Sequence, residues 1–161
     1  MPERPAADPD RRFDDEFQRN WLPVFRFALG WTNDWPAAED LAQEAFVRLW
    51  ARRRMMDWSA PMLPWLLTTT RHLATDRFRR LRRAGRLAGA GGHYAGLDSD
   101  ARLRWLDVRA AMAALTPIQR SALVLTAVVG LDSESAAQIL GTSPGAVRAA
   151  VSRARSRLAE S

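Results

Sequence analysis

The stretch LDSESAAQILGTSPGAVRAAVSRARSR, residues 131–157, decides how this chain is read. A short apolar-periodic segment runs from about Ser133 to Leu140, and a three-residue turn, Gly141-Thr142-Ser143, follows it. Ser143 is a good helix N-cap and Pro144 a good first-turn residue, so a second helix starts there. Its apolar positions are Val147, Val151, Ala154 and Leu158, and its other face carries Arg148, Ser152, Arg153, Arg155 and Arg157. The small turn lets Ala136, Ala137, Ile139 and Leu140 pack against Val147 and Val151. That is the helix-turn-helix layout, whose second helix projects its N-terminal turns into a major groove. An ordinary helical hairpin with a solvated charged face is the competing reading.

Outward from this motif, the second half continues as helix. Thr116-Pro117 is a cap followed by a first-turn proline, and Ile118, Ala122, Leu125 and Val129 mark a helix ending at Gly130. Leu103, Leu106, Val108, Met112 and Leu115 mark another before it. Further upstream, residues 84–100 carry Gly85, Gly89, Gly91, Gly92 and Gly96 with weak periodicity, which reads as a flexible linker.

The first half is also helical. Phe13, Phe17, Trp21, Val24, Phe25 and Ala28 form one stripe, with Pro23 a potential bend. A second helix starts near Pro36 and buries Ala38, Leu41, Ala42, Ala45, Phe46, Leu49 and Trp50. Glu39, Asp40, Gln43, Glu44 and Arg48 lie opposite. After a loop through Trp58, a third helix begins near Pro64, with Leu66, Leu67, Thr70, Leu73, Ala74, Phe78 and Leu81 as its stripe. No alternating strand pattern stands out. The expected fold is all-α: two small helical domains, 11–83 and 101–160, joined by the linker 84–100, with the helix-turn-helix in the second.

Composition bounds the chemistry. The chain has 161 residues and no cysteine, which excludes a disulfide scaffold, a thiolate zinc site and a cysteine nucleophile. Two isolated histidines, His72 and His93, offer little to a metal. No catalytic constellation, metal site or cofactor motif is expected, and an enzyme is the weakest reading. No stretch approaches the roughly 18 apolar residues of a membrane span, and residues 1–10 lack the apolar core of a secretory signal. A cytoplasmic protein without membrane insertion is expected.

The formal net charge is +6, and all 24 basic residues are arginine; an all-arginine surface suits phosphates and guanine edges, and a GC-rich coding bias is the plainer reading of the missing lysine. The charge is uneven: residues 1–50 hold ten acids and six arginines, residues 71–86 seven arginines against Asp76. Arg71, Arg79, Arg80, Arg82 and Arg83 suit phosphates, and Trp58 and Trp65 suit stacking beside unpaired bases. A core Trp65 and solvated arginines are the plainer alternative. The Asp40, Gln43 and Glu44 stripe has no second carboxylate cluster facing it, so protein docking or plain solvation fits better than acid/base work.

Four ordered motifs resemble bacterial sigma factors. Ala38-Glu39-Asp40-Leu41-Ala42-Gln43-Glu44-Ala45-Phe46 is similar to the family's AEDLxQExF signature. Pro64-Trp65-Leu66-Leu67 with Arg71-His72-Leu73-Ala74-Thr75-Asp76-Arg77 resembles its TWLxxIARNLAxDxxR stretch. Leu115-Thr116-Pro117-Ile118-Gln119-Arg120 resembles LPxxQR, and Gly141 to Arg155 resembles the GxSxGTVKSRLxRAR recognition helix. Together they span about residues 13–158, and the small size is similar to the extracytoplasmic-function (ECF) subgroup.

The resemblance implies a factor that binds core RNA polymerase and directs it to promoter DNA, with an anti-sigma protein as a further candidate partner. It implies polymerase binding through Asp40, Gln43 and Glu44. It assigns the −10 element to Trp58, Trp65, His72, Asp76, Arg77 and Arg80, and the −35 element to Thr142, Ser143, Gly145, Arg148, Ser152 and Arg153. Departures from the pattern are His72 for a common Asn, Ser135 for an acidic residue, and Ala149-Ala150 for Ser-Arg, the last expected to remove a DNA contact. The alternative is a helix-turn-helix regulator that never engages polymerase.

Overall fold

The computed structural model describes residues 8–85 and 97–160. Most of the expected linker, residues 86–96, lies outside the described residues, as does His93. Seven α-helices and no strand occur among the described residues. They are α1 (Pro9–Thr32), α2 (Trp35–Arg52), α3 (Leu63–Arg83), α4 (Ser99–Met112), α5 (Pro117–Leu123), α6 (Ser133–Leu140) and α7 (Pro144–Ala159). None is long and apolar enough to cross a membrane.

Local chemistry sets the boundaries. The Asp34 carboxylate accepts from the Ala37 amide at 2.9 Å and starts α2. Asn33, at φ 49°, ends α1 in the left-handed region that asparagine tolerates, and its amide donates to the Leu29 carbonyl at 2.8 Å. Pro23 lies inside α1 without ending it. Thr116 and Gln119 form a reciprocal capping box at the start of α5. Past Leu123 the helix widens into a π turn over Val124–Val128, with the Val129 amide reaching the Val124 carbonyl at 2.9 Å.

Val24, Phe27 and Ala28 of α1, Leu41, Ala45 and Leu49 of α2, and Leu66 and Leu67 of α3 fill the first half's core. The same apolar cluster runs on without a break into Ala122, Leu125, Ile139, Leu140, Val147 and Ala150 of the second half. A smaller cluster of Leu115, Leu123 and Ala154 lies beneath the α4–α5 corner, with Met112, Val151 and Leu158 against it.

Several apolar residues expected inside lie outside. Trp50 sits at the rim between α1 and α2, where the Arg53 guanidinium covers its ring at 3.6 Å. Phe78 falls beyond Ala74, the last residue of α3 to be buried, so its ring stays about half exposed. In α4 the buried residue is Trp105, while Leu103 and Val108 face solvent. Trp105 meets Trp35 edge-on at 5.5 Å, and that aromatic pair chooses which face of α4 turns inward.

Candidate polymerase and nucleic-acid interfaces

The helix-turn-helix forms as its sequence demands. The Asp132 carboxylate caps α6 through the Ser135 amide at 2.7 Å, a bond that holds its pKa below the usual carboxylate value. Gly141 closes α6 at φ +64°, and the Thr142 amide returns to the Ala137 carbonyl at 3.0 Å. Ser143 Oγ then accepts from the Ala146 amide at 3.1 Å to start α7. Ala136, Ala137, Ile139 and Leu140 are buried with Val147.

This leaves the outer face of α7 free. Thr142, Ser143, Gly145, Arg148, Ser152 and Arg153 are all exposed. A Cβ on Gly145 would meet nothing nearer than the Arg148 guanidinium, at 3.9 Å, so the first turn offers a backbone that another molecule can approach closely. Arg157, expected on the same free face, instead donates to the Ala114 carbonyl at 2.8 Å and braces the α4–α5 corner. The pair Ala149-Ala150 divides: Ala150 is buried in the core and Ala149 half-buried. The position of Ala150 is therefore one of packing.

The second set of expected DNA residues lies on α3 and the loop before it. His72, Asp76 and Arg80 are exposed, and Arg77 is half-buried. Arg77 reaches α2, 3.8 Å from Asp40, a loose exposed pair worth little to stability. Trp58 and Trp65 pack partly against the core, and the Trp58 indole N–H donates to the Arg53 carbonyl at 2.8 Å. Both rings are half-buried. Asp57 organises the same loop: the Ser59 hydroxyl and amide both donate to its carboxylate and keep its pKa low.

On α2, Asp40, Gln43 and Glu44 are exposed, as the helical pattern required. Gln43 borders a shallow groove with Phe13, Phe17, Phe46, Val47 and Trp50, so the polar stripe is continuous with an aromatic surface. Exposed Val47 and half-exposed Trp50 and Phe17 add apolar area that a solvated face does not need. No group of three or more potential metal ligands occurs among the described residues.

One arrangement escaped the sequence reading altogether. Arg120, within the LTPIQR motif, is buried and its guanidinium fans out over backbone carbonyls. It donates to Gly30 at 2.9 Å and Trp31 at 3.2 Å on α1, and to Leu115 at 2.6 Å and Met112 at 3.4 Å beside α5. Burial lowers its pKa from the ordinary guanidinium value, and the carbonyl dipoles supply the compensation a buried charge requires. A buried arginine in an apolar helix could have raised the question, but its partners 90 residues away leave no mark on periodicity.

An all-α chain with a capped helix-turn-helix and a second arginine-rich helix defines a helical DNA-binding protein. Two family profiles narrow the class: sigma-70 region 2 matches residues 17–84, and sigma-70 region 4 matches residues 105–158. The ECF RNA polymerase sigma factor SigC of Mycobacterium tuberculosis is 32% identical over 139 residues, covering 84% of this chain and 75% of that protein. The probable RNA polymerase sigma factor RfaY of Xanthomonas campestris pv. campestris is 37% identical over 142 residues. That match takes in 82% of this chain but only 36% of the longer Xanthomonas protein. The sigma factor RpoE of Bartonella quintana, solved in complex with the anti-sigma factor NepR, is 28% identical with a TM-score of 0.71, covering 92% of this chain and 94% of that one. The chain belongs to the ECF group of RNA polymerase sigma factors.

Proposed function

We propose that this sigma factor docks core RNA polymerase through Asp40, Gln43 and Glu44 and reads promoter DNA with two separate faces. The observation that carries the reading is the pairing of region 2 and region 4 on one chain, together with exposed polar residues on α2, α3 and α7. The first domain spans 11–83 and the second 101–160, with 84–100 as the tether. The groove beside Gln43 supports docking, because it gives a partner apolar contact next to charged rim groups.

In this reading Trp58 and Trp65 stand beside the unpaired −10 strand, with His72, Asp76, Arg77 and Arg80 along α3 facing its bases and phosphates. The −35 element meets Thr142, Ser143, Gly145, Arg148, Ser152 and Arg153 in the major groove. The bond-making chemistry belongs to polymerase, and the site of action is the cytoplasm. The anti-sigma complex of the Bartonella relative supports an anti-sigma protein as a regulator of this chain.

The test is binding to purified core polymerase. Asp40→Arg with Glu44→Arg is expected to weaken polymerase binding at least about tenfold while leaving salt-dependent DNA binding in place. Unchanged polymerase affinity would remove the docking role from this face. A chain that binds DNA but never polymerase would favour the regulator reading.

A further inference from the structure

His72 departs from the asparagine common at its place in the family pattern, and its surroundings give it a chemistry that asparagine lacks. Its ring is exposed on α3, and its Nε2 lies 2.9 Å from Arg71 Nη2. Neighbouring residues of a helix point apart, so adjacency alone does not make this bond. Arg71, expected to reach phosphates, is instead half-buried. Its Nε is shut off from solvent, and its guanidinium lies 3.4 Å from where a Gly141 Cβ would stand. The arginine is thus held by packing as well as by its bond to His72.

An arginine carries only N–H donors and stays charged. In the bond between them Arg71 must therefore donate, and His72 Nε2 must accept with its lone pair. The imidazole is accordingly neutral, and its one proton sits on Nδ1. His72 makes no other hydrogen bond among the described residues. Asp76, one turn along, lies 3.9 Å from Arg79 instead. The result is an exposed ring that presents one N–H donor at Nδ1, with its single acceptor already used.

An asparagine amide carries both a donor and an acceptor, and so pairs with adenine, whose edge sets acceptor N7 beside donor N6. His72 in this tautomer only donates. Guanine, with O6 and N7, and thymine, with O4, present acceptors alone on that edge. Adenine and cytosine present an amino group there, from which His72 cannot accept. We propose that His72 selects a keto base, guanine or thymine, in the unpaired −10 strand, and that Arg71 is the positioning residue that holds it in the donor-only tautomer. This rests on the assignment of α3 to the −10 element above, and names the base chemistry that the assignment leaves open.

Two measurements test it. The first is NMR of the isotopically labelled imidazole nitrogens in the full-length protein at about pH 8, where a histidine is ordinarily neutral. His93 is the only other histidine in the chain, so His93→Gln leaves the His72 signals alone. The unaltered pair should show the proton on Nδ1, and Arg71→Met should return it to Nε2, the form that a histidine free in water favours. The second is selection from single-stranded DNA randomised at the −10 bases, by the protein alone and with core polymerase. One position should favour guanine or thymine at least about fivefold over adenine or cytosine. His72→Asn should turn that one position toward adenine, and Arg71→Met should flatten it, with the other positions unchanged. If Arg71→Met loses helicity, His72→Asn carries the test. A proton on Nε2 in the unaltered protein overturns the positioning role of Arg71. Amino bases preferred throughout, or a keto preference that His72→Asn leaves as it was, overturns selection by His72. A protein that selects no sequence with or without polymerase overturns the sigma reading instead, and the tautomer then judges the Arg71–His72 bond by itself.

Discussion

The seam between the halves and the outer face of α7 treat arginine in opposite ways. At the seam, Arg120 is buried and every bond it makes goes to a backbone carbonyl. On α7, Arg148 and Arg153 are exposed and stand clear of the core. The same side chain serves as an internal cross-brace in one place and as an outward probe in the other. What separates the two uses is the neighbouring backbone. Gly30 admits α5 so closely that carbonyls surround the guanidinium, whereas α7 buries Val147, Ala150 and Ala154 on one face and leaves Arg148 and Arg153 on the other. Charge alone therefore says little about role, and the arginine-rich composition has to be divided residue by residue.

Breaking the buried side of this contrast should have the largest effect. Arg120→Ala leaves four carbonyls without their donor and should cost about 3–5 kcal/mol of stability in urea denaturation. A loss below about 1 kcal/mol would mean that the carbonyls find water at the seam. On the outer face, Arg148→Ala should leave stability within about 0.5 kcal/mol and weaken −35 DNA binding by about 1–3 kcal/mol in footprinting titrations. A uniform loss on every DNA sequence would assign Arg148 to phosphate rather than to a base.

Smaller effects sharpen the comparison. Gly141→Ala puts a Cβ at positive φ and against Arg71, and should destabilise by about 1–2 kcal/mol in thermal melts. Ser143→Ala removes the α7 cap and should cost about 1 kcal/mol by the same measurement. Ser121→Ala should change stability by no more than about 0.5 kcal/mol, because the buried Ser121 hydroxyl has no hydrogen-bond partner to lose. A larger drop would place an ordered water beside that hydroxyl.

The recognition module was legible in advance because its determinants are local. Gly141, Ser143 and Pro144 each act within one turn of their own position, and Val147 declares its burial by spacing. The stripe on α2 was legible for the same reason up to Leu49, and failed at Trp50, where a neighbouring arginine replaces the core as the ring's cover. The seam was not legible. Gly30 reads as one small residue on a long helix, and Trp105 was passed over for Leu103 and Val108 because α4 has two apolar faces. Which face turns inward depends on Trp35, far away in the chain. The polar faces of α2 and α3 could be found as stripes, yet no spacing rule tells a docking face from a solvated one. It was the resemblance of four ordered motifs that attached partners to them.

The most direct measurement is reconstituted initiation: core polymerase, this protein, and promoter templates recovered by mapping transcript starts after overexpression. The account predicts discrete start sites that appear only with both proteins present and disappear when either the −10 or the −35 element is scrambled. Transcripts no more selective than those of core polymerase alone would contradict it.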